Sequence, residues 1–202
     1  ASSSSVYGDQ KKLPLSENLI TDSPNSLYAS SKKSNELMAY VYSNLYNLKT
    51  TGLRFFTVYG PFGRPDMALF KFTSSILSHK KIELYNKGNH MRDFTYVDDI
   101  VDGILKILKF SKLKSKSGLK KNIYNIYNLG NNNPISLKRF VKIIKNNLGI
   151  KASYKYLPLQ PGDVKKTFAN INKARIDFDY SPKTKIEEGI KSFLKWYRSY
   201  YG

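Results

Sequence analysis

Cysteine is absent from the sequence, which removes disulfides, thiolate nucleophiles and zinc–thiolate sites together. Imidazoles are scarce, with only His79 and His90, so a structural metal centre is not expected. No stretch approaches the ~20 consecutive apolar residues that cross a bilayer, so no membrane partner is expected and the cytoplasm is the expected compartment. Acidic side chains are few: 15 Asp and Glu stand against 34 Lys and Arg, a formal net charge of +19. Such an excess raises nucleic acid as a partner, because phosphate neutralisation needs clustered cations. Here the excess is mostly lysine, densest from Lys106 to Lys121, and it lacks the arginine and aromatic interleaving of a base-stacking platform. A solvated lysine-rich surface and no nucleic-acid partner are expected.

What is present is an ordinary globular composition, 202 residues and 41% hydrophobic, enough for a sizeable core. Ala1-Ser2-Ser3-Ser4-Ser5-Val6-Tyr7-Gly8 reads like the exit of a buried parallel strand in the middle of a domain, so a truncated chain is expected. Tyr28 to Tyr46 has helical apolar spacing, with Asn25 or Ser26 as its cap. Thr51 to Val58 reads as one strand covered on both faces, ended by Gly60-Pro61. Further helices are expected over 67–77, 97–110, 136–148 and 186–201, and further strands over 82–85, 92–96, 123–130 and 152–157. Lys112 to Asn122 reads as a surface loop and Pro161-Gly162-Asp163 as a turn. Strands alternating with helices indicate an α/β fold with a largely parallel sheet.

Tyr28 and Lys32 lie four apart, which puts a phenol and an ammonium on one face of the helix. A nearby cation favours phenolate over phenol, so the tyrosine can act as general base on a hydroxyl. Ser3, at the expected carboxyl end of a parallel strand, can donate a hydrogen bond to the same hydroxyl. Taken singly, the pair also describes a helix surface, the serine run a polar turn, and Arg64 an exposed loop charge.

Together with Leu53-Arg54-Phe55-Phe56-Thr57-Val58-Tyr59-Gly60-Pro61 and Arg92-Asp93-Phe94-Thr95-Tyr96-Val97-Asp98-Asp99, these motifs follow the order of the extended short-chain dehydrogenases/reductases. The chain resembles their nucleotide-sugar epimerase branch over essentially its whole length. Its nearest likeness is to UDP-glucuronate 4-epimerases, through 32–39 and 57–68.

The resemblance implies the carboxy-terminal part of a Rossmann-like, doubly wound parallel sheet with a small α/β substrate-binding subdomain. Residues 1–60 would belong to the NAD-binding domain and 61–202 mainly to the nucleotide-sugar subdomain, with strand 123–130 returning to the Rossmann sheet. It implies NAD as cofactor, a UDP-sugar as substrate and a homodimer for the full-length protein. Tyr28 would be the base, Lys32 would hold the nicotinamide ribose, Ser3 would orient the sugar hydroxyl and Phe56 would lie against the nicotinamide. Thr57 and Arg64 would contact the sugar, Arg92 the pyrophosphate, and Asp163 the uridine ribose.

Gln160 departs from the arginine of many neutral-sugar epimerases. Related 4,6-dehydratases carry acidic residues after the catalytic serine, where this chain has Ser4 and Ser5. Two hydroxyls can donate to a substrate carboxylate but cannot do acid–base work at neutral pH. That favours epimerisation and an acidic sugar, with another nucleotide-sugar epimerase, a 4,6-dehydratase or a non-catalytic RNA-binding relative of the fold as the alternatives. Asp98 and Asp99 are expected to cap a helix rather than bind metal. The glycine-rich dinucleotide turn is not found, so the 202-residue chain alone is expected to be inactive and, with an unpaired strand edge, prone to associate.

Overall fold

The computed structural model describes residues 1–110, 123–160 and 162–202. A three-stranded sheet, ordered β1 (Ser2–Ser3), β2 (Thr50–Phe55), β6 (Tyr124–Leu129), is parallel throughout, with Ser3 opposite Phe55 and Phe55 opposite Leu129. Helices cover both faces. Tyr124 meets Tyr40 of α1 (Leu27–Tyr46) edge-on at 5.7 Å, while Tyr127 meets Phe178 of α5 (Asn172–Phe178) at 5.1 Å. Residues three apart on a strand point to opposite faces, so the two contacts lie on opposite sides of the sheet.

A second sheet sets β3 (Thr57–Tyr59) parallel to β5 (Met91–Tyr96), with β7 (Pro134–Ser136) antiparallel on its far edge. The strand expected over 51–58 is therefore two strands in two sheets. The amide of Phe56 still donates to Leu129 O at 3.1 Å, but Thr57 already pairs with Phe94. The break occurs because the Phe56 side chain turns into the first core. A Cβ at Gly130 would come within 3.1 Å of its ring, so that glycine leaves the space Phe56 fills. A third pair, β4 (Ile82–Tyr85) and β8 (Tyr154–Leu157), is parallel.

The helices follow their local signals. Ser26 caps α1 by accepting the Ala29 amide at 3.1 Å, and Ser136 caps α4 (Leu137–Leu148) by accepting the Arg139 amide at 3.2 Å. Gly149 ends α4 in the left-handed conformation. The second core joins α2 (Ala68–Leu77), α4 and α6 (Ile186–Tyr201) to the second sheet, with Phe94 stacked on Phe140 at 4.1 Å. Each such ring stabilises the fold by roughly 1.5–3 kcal/mol through removal from water.

Four elements had no clear signal: β7, α5 and the 3₁₀ turns Ser4–Tyr7 and Asn86–Gly88. Asp99, expected as a helix cap, opens α3 (Val97–Phe110) but binds elsewhere. Its oxygens accept the amides of Lys183 and Thr184, each at 3.1 Å, tying down the approach to α6. The loop expected over 112–122 and Pro161 of the expected turn lie outside the described residues.

Candidate active site

Helix α1 is unusual in that its buried residues are Ala29, Glu36 and Ser43, while its apolar residues stay exposed. Tyr28, Lys32 and Glu36 follow one another at intervals of four, so the face that carries the phenol and the ammonium continues into a buried carboxylate. Glu36 is gripped from two strands. Arg54 of β2 donates to it twice, at 2.8 and 2.9 Å, and Ser2 of β1 donates at 2.5 Å. Burial would raise this carboxyl, but the hydrogen bonds from Arg54 and Ser2 and the Arg54 charge outweigh it and hold the group below its ordinary range. The guanidinium also lies over the Tyr7 ring at 4.8 Å. This clamp sets the position of α1 relative to the strand on which Ser3 follows Ser2.

Above the clamp is a cavity of about 630 Å³ lined by Ser3, Ser4, Tyr28, Lys32, Phe56, Thr57 and Arg64 among others. Ser3 Oγ accepts from the Ser5 amide at 3.2 Å and from Ser5 Oγ at 2.8 Å. With both lone pairs taken, its own hydrogen is left to donate into the cavity. Ser5 is not among the lining residues; the structure places it behind Ser3. Lys32 Nζ is 5.7 Å from the Tyr28 ring centroid and donates to Ala1 O at 3.3 Å. Arg64 is exposed and forked onto Asp66, through Nε to Oδ1 at 3.0 Å and through Nη2 to Oδ2. No Asp or Glu lines this cavity among the described residues.

A second cavity of about 700 Å³ shares Thr57, Met67, Ala68, Phe70 and Phe94 with the first, so the two adjoin at these residues, and we call them the two ends of a trough. Its far end holds Arg92, Asp163 and His90. Arg92 Nη2 donates to Asp163 Oδ1 at 2.6 Å, and Asp163 Oδ2 lies 3.1 Å from His90 Nε2. Burial pulls the Arg92 guanidinium down, opposed by Asp163. The turn carrying Asp163 docks on the cap of α1: Gly162 has φ +77, and a Cβ there would meet Asn25 O at 2.7 Å. All the sequence-predicted site residues except Ser5 thus line one trough, with Ser3, Tyr28, Lys32, Phe56 and Arg64 at one end and Arg92 and Asp163 at the other.

Sequence reasoning missed His90, Glu36, Arg54 and Ser2. The only available signals were the four-residue step from Lys32 to Glu36 and the place of His90 two residues before Arg92. No group of three or more His, Cys, Asp or Glu among the described residues could hold a metal ion. No helix among them is long and apolar enough to cross a membrane.

Residues 1–130 match the model of the NAD dependent epimerase/dehydratase family. Protein CapI of Staphylococcus aureus is 53% identical over 209 residues, covering 100% of this chain and 63% of that protein. UDP-glucuronate 4-epimerase 1 of Arabidopsis thaliana is 49% identical over 209 residues, covering 100% of this chain and 49% of its own length. The crystal structure of a Bacillus cereus UDP-glucuronic acid 4-epimerase with UDP-glucuronic acid and NAD superposes with a TM-score of 0.88 at 32% identity, covering 99% of this chain and 60% of that one. The chain therefore spans less than two thirds of each of these relatives.

Proposed function

The chain belongs to the NAD-dependent epimerase/dehydratase family, and on that premise we propose that the complete protein 4-epimerises a UDP-sugar, converting UDP-glucuronate to UDP-galacturonate through transient oxidation at C4. The observation that carries this reading is the single trough that has Ser3, Tyr28 and Lys32 at one end and Arg92 and Asp163 at the other. A reactive sugar and its diphosphate need that separation along one groove. The relatives named UDP-glucuronate 4-epimerases support the same assignment.

NAD, when bound, supplies the oxidising capacity that takes C4 to a ketone and back. The residues at this end suit its nicotinamide ribose: among the described residues Lys32 Nζ donates to one backbone carbonyl, leaving two donors, and Phe56 offers an apolar wall. Tyr28 takes the proton from the C4 hydroxyl and later returns one to the same oxygen. Ser3, held as a donor by Ser5, orients that oxygen. Ser4 and Arg64 meet the sugar carboxylate, Thr57 faces the ring, Arg92 takes the pyrophosphate and Asp163 accepts from the ribose.

The lack of a lining carboxylate in the first cavity disfavours the dehydratase alternative, which needs an acid there, and suits an anionic sugar. Residues 1–60 with β6 would serve NAD and 61–202 mainly the sugar nucleotide. The exposed Leu37, Met38, Val41 and Leu45 on α1 support a homodimer. The cytoplasm is the compartment we propose for it. The test is interconversion of UDP-glucuronate and UDP-galacturonate by the complete protein. Turnover of UDP-glucose alone would refute the acidic-sugar assignment, and a stable 4-keto-6-deoxy product would replace epimerase by dehydratase. Salt-sensitive RNA binding without turnover would point to a non-catalytic relative.

A further inference from the structure

His90 is almost fully buried, 3% exposed, and lines the trough beside Arg92 and Asp163. Its Nε2 has no hydrogen-bond partner, although Asp163 Oδ2 is only 3.1 Å away, because the angle is poor. A buried polar atom left this way costs stability unless something completes it. The carboxylate it faces is already committed, through its other oxygen, to Arg92 at 2.6 Å. Arg92 and Asp163 therefore pair with each other, and the imidazole faces the second carboxylate oxygen without completing a bond to it.

Burial and the Arg92 charge push the imidazole below its ordinary range, with Asp163 opposing. The same cavity is lined by Asp66 before α2, Lys71 on α2, Lys80 and Lys81 before β4, and Glu83 and Tyr85 on β4; nearby, Lys138 of α4 binds Asn89 at 2.9 Å. Glu83 is itself paired with Lys155 at 2.9 Å. At His90 itself one cation, Arg92, and one anion, Asp163, act in opposite senses, so an added anion tips the imidazole toward its protonated form.

We propose that His90 is a third, proton-carrying member of the diphosphate end of this site: neutral while the trough is empty, it takes up a proton when a nucleoside diphosphate docks on Arg92. The inference rests on the reading of the Arg92 end as the diphosphate site. A docked pyrophosphate brings two negative charges and competes with Asp163 for the guanidinium. Asp163 is then left beside an anion with one fewer cation, and a protonated His90 supplies it. The imidazolium donates from Nε2 to whichever oxygen, carboxylate or phosphate, the rearrangement brings into line. At a few ångströms this exchange of neighbours moves the imidazole titration upward by about one to two pH units. The sign is fixed by linkage: a group whose affinity for protons rises on binding makes the ligand bind tighter at low pH.

The probe is UDP-glucose, whose phosphates do not titrate near neutrality. In the complete protein the His79→Gln and His90→Gln variants assign these two imidazole NMR signals, each by the signal it removes. Saturating UDP-glucose is expected to raise the His90 titration by about one pH unit or more and leave His79 in place. Calorimetric titrations in two buffers of unlike ionisation enthalpy are expected to show uptake of about half a proton or more per ligand, with affinity falling about tenfold from mildly acid to mildly alkaline pH. His90→Gln should bind without uptake and with a flat pH profile. A His90 titration unmoved by bound ligand, or uptake that persists in His90→Gln, overturns the proposal while leaving the diphosphate site standing. Absence of UDP-glucose binding at every pH overturns the diphosphate reading and this proposal with it.

Discussion

Replacing Glu36 by glutamine removes one negative charge and almost no volume, so its effect reports the charge clamp under α1 and little else. The Arg54 side chain is 4% exposed and receives two of its hydrogen-bond acceptors from Glu36, at 2.8 and 2.9 Å. In the glutamine variant the guanidinium stays buried with one amide oxygen in place of the carboxylate, the Glu17 carbonyl at 3.4 Å, the Tyr7 ring and the attraction of the Glu17 carboxylate, but without its ion-pair partner. Breaking a buried pair from one side costs about 3–5 kcal/mol, a large share of the ~5–15 kcal/mol that holds a domain folded. At about 2–4 °C per kcal/mol for a chain of this size, the melting temperature should fall by roughly 10 °C. The double variant Glu36→Leu with Arg54→Met removes both charges and should recover most of that loss, short by the ~1 kcal/mol of the Ser2 hydrogen bond left without its acceptor. Urea unfolding of wild type, Glu36→Leu, Arg54→Met and the double closes the cycle, with Glu36→Gln measured beside it. A Glu36→Gln loss below about 1 kcal/mol, or a double no more stable than the single, would refute the claim that charge pairing holds this helix in place.

The Tyr28→Phe variant of the complete protein should lose turnover by about a hundred- to ten-thousand-fold with UDP-glucuronate affinity unchanged, and residual activity within about tenfold of wild type would remove Tyr28 as the base. Asp93 accepts the Asn131 and Ala169 amides at 2.6 and 2.8 Å, yet burial pushes its carboxyl up to about 6. Because that folded value is above the unfolded one, its contribution is present below about pH 4 and lost as pH rises to about 6. Asp93→Asn should flatten the stability profile across that window in denaturant titrations, and an unchanged slope would refute the assignment. Glu36, held below its ordinary range, acts oppositely: its contribution is present above the unfolded carboxyl range and lost as pH falls through its folded value. Val41→Glu on the exposed apolar face of α1 should convert a dimer of the complete protein to monomer in sedimentation with the unfolding midpoint preserved, and a dimer that survives it argues for another interface.

Much of the fold was legible because helix and strand signals are local. The Ser26 cap, the glycine after α4 and the alternation of periods act within about four residues, and the backbone obeyed them. Ser3, Tyr28 and Lys32 could be singled out for the same reason, since a helical spacing and a strand exit already orient those side chains. The split at Phe56 was not legible, because leaving one sheet for another depends on whether Gly130, far along the chain, makes room for a ring.

By itself the sequence determined the alternation of its longer strands and helices, the absence of thiol chemistry and the residue types able to move a proton. Only the tertiary structure decided which charges meet: Glu36 with Arg54, Asp99 with the Lys183 and Thr184 amides, and Arg92 with Asp163 and His90. A charge in a sequence has a sign but no neighbour. Its neighbour is set by how sheets and helices stack, and Coulomb energy and burial, which decide what the charge does, exist only once that stacking has fixed the distances.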